Sequence, residues 1–334
     1  MTVLGLDIGG ANLKAATVDT RAVSVPFALW KQPDKLPAAL ADLVGQFPDA
    51  TELAVTMTGE LCDCFETKRQ GVNAILDAVE FAAKGLPVRV WSTDGEFVCV
   101  EESRRNHMKV AAANWHALAT FAGRFAPHNG GLLLDIGSTT TDIIPLDHGV
   151  PSTYGTTDWG RLQMRELAYI GVRRTPVFAV YTDRVCAELF STTQDVFVIL
   201  GLLPQDSTDT ETANGRPLTK DHCLTRLAHT LGADREELPD EHLVDFAKRV
   251  QQRLINSISV AARSAYYDAQ MPPELRTVIV SGAGEFLARQ VIATEFSETP
   301  IERIVSLNEE LGPTVSACAP AYALAVLATE RPSS

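Results

Sequence analysis

The chain has 334 residues, 46% of them hydrophobic and 21% charged, which suits about two globular domains with a full core. A formal net charge of −13, with no lysine–arginine cluster set against it, excludes a nucleic-acid binder. No apolar run reaches the roughly 18 residues that a membrane span needs, so no membrane partner is expected.

From the N-terminus, the pattern predicts a strand from Val3 to Ile8, a Gly9-Gly10 turn and a second strand from Asn12 to Asp19. A helix is expected over Ala38–Phe47, a buried strand over Leu53–Met57, an amphipathic helix over Gly71–Lys84 and a strand over Pro87–Trp91. A continuous helix is expected from Asn106 to Phe125. Asn129-Gly130-Gly131 then punctuates the start of a second hairpin with arms Leu132–Ile136 and Thr141–Leu146. Residues 150–185, rich in Gly, Thr and Arg, read as loops crossing an active site, and Pro204–Pro217 reads as an exposed loop. A long helix over Glu241–Ala269 and a strand from Val278 into a Ser281-Gly282-Ala283-Gly284 turn follow. The last Ala-rich helix starts after Gly312-Pro313 and runs to about Ala328. Strands and helices alternate throughout, so the fold class is α/β.

The two hairpins share one message. Each begins as an apolar strand, ends in Asp-Ile-Gly plus a small residue, and runs on into another strand: Asp7-Ile8-Gly9-Gly10 and Asp135-Ile136-Gly137-Ser138. An ionised Asp at the end of a buried strand is costly unless compensated, and the glycines let backbone N–H groups approach an anion. Two such elements suggest a duplicated fold gripping a polyphosphate from both sides. Asp7 and Asp135 are then candidate magnesium ligands on a bound diphosphate. Gly9, Gly10, Asn12, Lys14, Gly137, Ser138, Thr139 and Thr140 would supply its donors. Gly282 and Gly284 form a further strand-to-helix turn suited to an anion. Asp142 adds a second carboxylate after Asp135, as a metal ligand, a general base or a structural partner of the turn. The polar stretch after Met57 brings Thr58, Glu60, Asp63 and Lys68 to a strand carboxyl end, where ligands of α/β folds gather. Arg161, Arg173 and Arg174 are candidates to neutralise phosphate. The seven histidines show no paired ligand spacing, and no GxSxG, Walker A or GxGxxG motif is present. The six cysteines lack zinc spacing and read as reduced thiols. With no basic leader at the N-terminus, the expected location is cytoplasmic.

The two Asp-Ile-Gly hairpins and the Ser281–Gly284 turn resemble the phosphate-one, phosphate-two and adenosine motifs of the acetate and sugar kinase, heat-shock-70 and actin superfamily. Within it the chain is similar to the hydantoinase A and oxoprolinase branch. Longer segments carry a closer resemblance: Asp7–Asn12, Thr56–Asp63, Lys109–Trp115, Asp135–Pro145 and Arg173–Pro176. They resemble proteins linked to tetrahydromethanopterin-dependent one-carbon transfer, whose archaeal members act in methanofuran biosynthesis.

The resemblance implies a two-lobed, duplicated actin/ribonuclease H-like fold with mixed sheets flanked by helices and a cleft between the lobes. Residues 1–128 would form the first lobe and 129–311 the second, with 312–330 a C-terminal helix packing back on the first. It also implies a transferase that joins an aminomethylfuran-methanol diphosphate to the phenol of a γ-glutamyltyramine-type acceptor and releases diphosphate. Asp142, Glu60 or Asp63 would take the phenol proton, and Thr58, Lys68, Asn114, Arg161 and Arg174 would meet the substrates. Magnesium is the expected cofactor; ATP is allowed but not required. The partner is a small phosphorylated molecule, and a homodimer is compatible. An ATP-dependent kinase, a hydantoinase-type hydrolase, or a nucleotide-binding regulator without catalysis remain open in the same cleft.

Overall fold

The computed structural model describes residues 2–272 and 274–331. Its frame is two sheets. The first has the order β3-β2-β1-β4-β5-β6, built from β1 (Thr2–Ile8), β2 (Asn12–Thr17), β3 (Ala22–Pro26), β4 (Ala50–Met57), β5 (Val88–Trp91) and β6 (Phe97–Val98). The second has the path β10-β8-β7-β11-β12, with β9 paired to β8. Its strands are β7 (Gly131–Ile136), β8 (Thr141–Asp147), β9 (Val150–Pro151), β10 (Leu167–Ala168), β11 (Thr277–Ser281) and β12 (Arg303–Ser306). In both sheets the hairpin is antiparallel and its first strand pairs in parallel with a later one, β1 with β4 and β7 with β11. Central strands covered on both faces need apolar residues at successive positions. Val3–Ile8 and Leu132–Leu134 supply them; all are buried, Asp7 included, while Asp135 is partly exposed.

Helices cover both sheets. Ala319–Glu330 lies across β1, β2 and β4 of the first sheet. Gly5 makes that approach close: a Cβ there would collide with the Ala321 carbonyl and come 2.9 Å from Ala325 N. Beneath the second sheet runs Asp240–Asp268, whose buried Leu243, Phe246, Ala247, Val250, Leu254 and Ile258 recur at helical spacing. They join β7, β8 and β11 in one core. A buried Asp195–Arg226 pair at 2.7 Å fastens two short helices beside it, Thr193–Ile199 and Lys220–Thr230. No helix among the described residues is long and apolar enough to cross a membrane, and the six cysteines are free thiols.

Several elements differ from the sequence expectation. The continuous helix over Asn106–Phe125 is instead two short ones, His107–Val110 and Asn114–Ala122, with a 3-10 turn at Gly123–Phe125, and a further helix precedes them at Val100–Arg105. The break falls at Ala111, which is extended, and Ala112, at φ 48°. There the Lys109 carbonyl accepts from Thr93 N at 2.8 Å rather than from the next helical turn. Tertiary pairing thus overrides the helix propensity of an alanine run. The last helix is also interrupted, with Pro313–Ser316 ending before Ala319 restarts. Residues 150–185 contain short helices at Asp158–Gln163 and Val177–Val180. The Pro204–Pro217 segment is largely exposed but fastened: Asp209 and Glu211 pair with Arg173, and Asn214 accepts from Arg226.

Candidate active site

Both hairpin turns open on one cleft of about 550 Å³. Each turn is closed in the same way. Gly9 N donates to the Asn12 carbonyl at 3.0 Å, and Gly137 N donates to the Thr140 carbonyl at 2.8 Å. The first turn is stitched to the end of β4, where Thr58 N and Gly59 N both donate to the Ile8 carbonyl. The second is stitched to its neighbours by Arg173 N and Arg174 N donating to the Ser138 carbonyl, and by Gly284 N donating to that of Ile136. The N–H groups of Gly10, Ala11, Ser138, Thr139 and Thr140 find no acceptor among the described residues, and all five residues line the cleft.

The strand register sets a row of side chains on each sheet. In the first sheet Thr56, Asp7, Lys14 and Ser24 stand opposite one another on β4, β1, β2 and β3. In the second the row is Ser281, Asp135, Asp142 and Leu167 on β11, β7, β8 and β10. Adjacent strands lie ~4.8 Å apart, so the second row spreads its groups along the cleft wall. Gly282, at φ 84°, packs on Asp135: a Cβ there would come 2.7 Å from Asp135 Oδ1.

Burial dominates the electrostatics. It raises the Asp7 carboxyl, with Lys14 opposing, and leaves Asp7 Oδ1 without a hydrogen-bond partner. It pushes Asp135 up to about 7, aided by the charge of Asp142. Asp142 is itself raised by burial, against the pull of Arg161. Arg161 is buried; it donates to Asp142 Oδ1 and to the Glu166 carbonyl, both at 2.8 Å, and lies 4.0 Å over the Trp115 ring. Trp115 lines the cleft, and its Nε1 has no acceptor among the described residues.

The structure brings most of the candidates together and sets a few apart. Asp7, Gly9, Gly10, Asn12, Lys14, Thr58, Asn114, Asp135, Gly137, Ser138, Thr139, Thr140, Asp142, Arg161, Arg174 and Gly282 all line the cleft. Gly284 does not; it packs on Ile136 and Val172. Asp63 is exposed and off the wall. Glu60 is buried behind it, with both carboxylate oxygens unpartnered and its pKa pushed up to about 7 by burial. Lys68 stands off the wall, 4.0 Å from Asp158. Arg161 is engaged by Asp142, and Arg174 is held by Glu211 and by the Trp30 ring, 5.3 Å away. Trp30, Trp115, Asp158, Tyr169 and the Ser316–Pro320 corner also line the cleft and escaped the sequence reading. Of these only Asp158 carried a local signal, a Thr157 cap before a first-turn acid.

The structure is a repeated α/β scaffold whose two Asp-Ile-Gly hairpins meet at one cleft. The chain belongs to the hydantoinase/oxoprolinase family, whose model matches residues 52–331. It is 34% identical to the (4-{4-[2-(gamma-L-glutamylamino)ethyl]phenoxymethyl}furan-2-yl)methanamine synthase of Methanocaldococcus jannaschii, over 97% of each chain. The synthase of the same name from Methanococcus vannielii is 28% identical over 59% of this chain and 89% of its own. Among solved structures, nucleotide-free acetone carboxylase is similar in fold, with TM-score 0.50 and 12% identity over 97% of this chain and 70% of that one. The hexokinase of the ROK family from Thermus thermophilus gives TM-score 0.47 at 14% identity, over 99% of this chain and 100% of that one.

Proposed function

We propose that the chain is a transferase of methanofuran-type carrier biosynthesis. It would couple an aminomethylfuran-methanol diphosphate to the phenol of a γ-glutamyltyramine-type acceptor, forming an aryl ether and releasing diphosphate. The observation that carries this is the full-length likeness to the M. jannaschii synthase, whose printed product contains that phenoxymethylfuran ether. The cleft supports it chemically. Breaking the furfuryl C–O bond puts negative charge on the leaving diphosphate and positive charge on the furfuryl carbon. Unspent N–H groups at both turns, with Lys14, stabilise the first. The wall carboxylates Asp135 and Asp142 favour the second.

Asp142 is the base we assign to the phenol. It lines the cleft, and Arg161 holds it in place. Glu60 and Asp63, the other sequence candidates, do not line the wall. Arg174, between Trp30 and Glu211 at the same cleft, would meet the outer phosphate.

Magnesium fits the donors present. Asp7 Oδ1 is an orphaned buried oxygen, and Asp7 and Asp135, near the ends of β1 and β7, would offer the ion two hard oxygen ligands. Among the described residues no three acidic, His or Cys groups gather to hold a metal alone, so substrate phosphates would have to complete the ion's shell. When bound, the ion would neutralise charge on the departing diphosphate. The six free thiols suit a reducing cytoplasm.

The test is direct. Purified protein is incubated with the furfuryl diphosphate, γ-glutamyltyramine and magnesium, without ATP. The coupled ether, seen by mass, and diphosphate in equal amount are expected. No ether, or ADP formation that needs ATP and the small substrate, overturns the reading.

A further inference from the structure

Beyond the phosphate turns, the second-sheet row continues past Asp142 to β10, and here acidic groups gather that the transfer chemistry does not use. Asp158 lines the cleft from the first turn of Asp158–Gln163, where a helix start favours a negative charge. Tyr169 lines it too, and its phenol feels the charges of Asp158, Glu60 and Asp142 together. Glu60 lies behind this corner, 1% exposed. Lys68 and Asp158 act on its charge in opposite directions, and neither carboxylate oxygen finds a hydrogen-bond partner among the described residues.

The three carboxyls here are unevenly paired. Arg161 is committed to Asp142 at 2.8 Å. Lys68 is the partner of Asp158 and stands 4.0 Å from it, beyond hydrogen-bond length. Burial pushes the Glu60 pKa up to about 7, and its oxygens find no hydrogen-bond partner among the described residues. A cation at this corner would complete Asp158 and favour the charged form of Glu60. Tyr169, on the same wall, adds an aromatic ring, a surface that a cation favours.

We propose that Asp158, backed by Glu60 and walled by Tyr169, is the subsite for a primary ammonium carried on the furfuryl substrate. This rests on the transferase reading and deepens it. The product name of the M. jannaschii relative contains a methanamine on the furan, a group that is protonated near neutral pH. With diphosphate between Asp7 and Asp135, the reacting carbon falls beside Asp142. One strand spacing further, ~4.8 Å, places the aminomethyl group by β10 and Asp158. The corner thereby sets which furfuryl diphosphate enters and in which direction it lies.

The experiment reads binding, not turnover, so it stands apart from the test of the reaction. Furfurylamine and furfuryl alcohol, which carry no phosphate, are titrated by calorimetry or ligand-observed NMR into wild type, Asp158→Asn, Asp158→Glu and Glu60→Gln, each checked for folding by circular dichroism. Wild type should bind the amine at least tenfold more tightly than the alcohol, a loss of one charge-assisted contact being worth about that factor. Asp158→Asn should abolish the preference and Glu60→Gln should reduce it, while Asp158→Glu retains most of it. Equal binding of amine and alcohol by wild type, or a preference unchanged in Asp158→Asn, overturns the subsite. If the amine binds as expected but no ether forms in the coupling assay, the subsite stands and the transferase reading falls.

Discussion

The two hairpins are built alike and charged differently. On β1 and β7 an Asp stands one residue before Ile-Gly, and seven residues on, the facing strand answers it with Lys14 in one case and Asp142 in the other. Lys14 opposes the rise that burial imposes on Asp7, whereas Asp142 adds to the rise of Asp135, which reaches about 7. A duplicated scaffold thus carries one side suited to holding an anion and one suited to managing a proton and a cationic carbon. The stitching also differs: the first turn is tied to β4, the second to the 172–174 segment and to Gly284. The two hairpins share one geometry, and one position on the paired strand sets their charge apart.

Neutralising the two acids is the strongest way to test that division. Asp7→Asn should lower turnover by ~10²–10³-fold, the cost typical of losing one electrostatic element of a transition state. Diphosphate release at saturating substrate measures this, and an unchanged rate would remove Asp7 from the clamp. Asp135→Asn should do the same to rate yet raise stability at neutral and alkaline pH. Its native pKa, near 7, lies above the ordinary 3.8, so the folded state holds a proton that the unfolded chain has lost. Stability therefore falls as pH rises from 3.8 to about 7 and stays lowered above. At pH 8 without metal the Asn variant should be more stable by roughly 2 kcal/mol, discounted because Asp135 is only partly buried. The gain should vanish near pH 4, as chemical denaturation at both pH values will tell.

The next effect is smaller and belongs to the first side alone. Lys14→Met should raise KM for the furfuryl diphosphate about tenfold while altering kcat less, because it removes a charge that meets the phosphate in ground and transition states alike. If kcat falls and KM holds, Lys14 acts only as charge separates.

How much of this could be read from the chain alone depended on whether the signal was local. The hairpins were legible because Asp-Ile-Gly after an apolar run is a local pattern, and it recurs. The strands Ala22–Pro26 and Arg303–Ser306 were not: one is a partly exposed edge, the other has four residues. Thr193–Ile199 is buried on every side, so it has no amphipathic period, and only its Thr192–Asp195 capping box announced it. In the site, the make-up of the turns was legible, since their glycines and the Asp before them stand in the turn or next to it. Depth was not. Glu60 and Asp63 sit three residues apart in one polar segment, yet one is buried and the other exposed. Asp158 has Lys68 at 4.0 Å, a partner far away in sequence that only the packed fold brings near.

The finest contrast between the two sides lies in their first glycines. Gly9 and Gly137 occupy equivalent places, and neither has a positive φ, so the backbone of each accepts a side chain. Space decides the rest. A Cβ on Gly9 would meet the Asn12 carbonyl at 3.0 Å and Thr58 Oγ1 at 3.5 Å, because this turn is pressed against the end of β4. A Cβ on Gly137 would meet only the Thr140 carbonyl, at 3.5 Å, an ordinary contact. Gly9→Ala should therefore cost about 1 kcal/mol through the shift it forces on the turn. Gly137→Ala should stay within roughly 0.5 kcal/mol of wild type, as its reduced unfolded-state entropy offsets slight crowding. Thermal denaturation of the pair measures the difference; equal losses would mean that the second turn is held as tightly as the first, and that the asymmetry between them is one of charge alone.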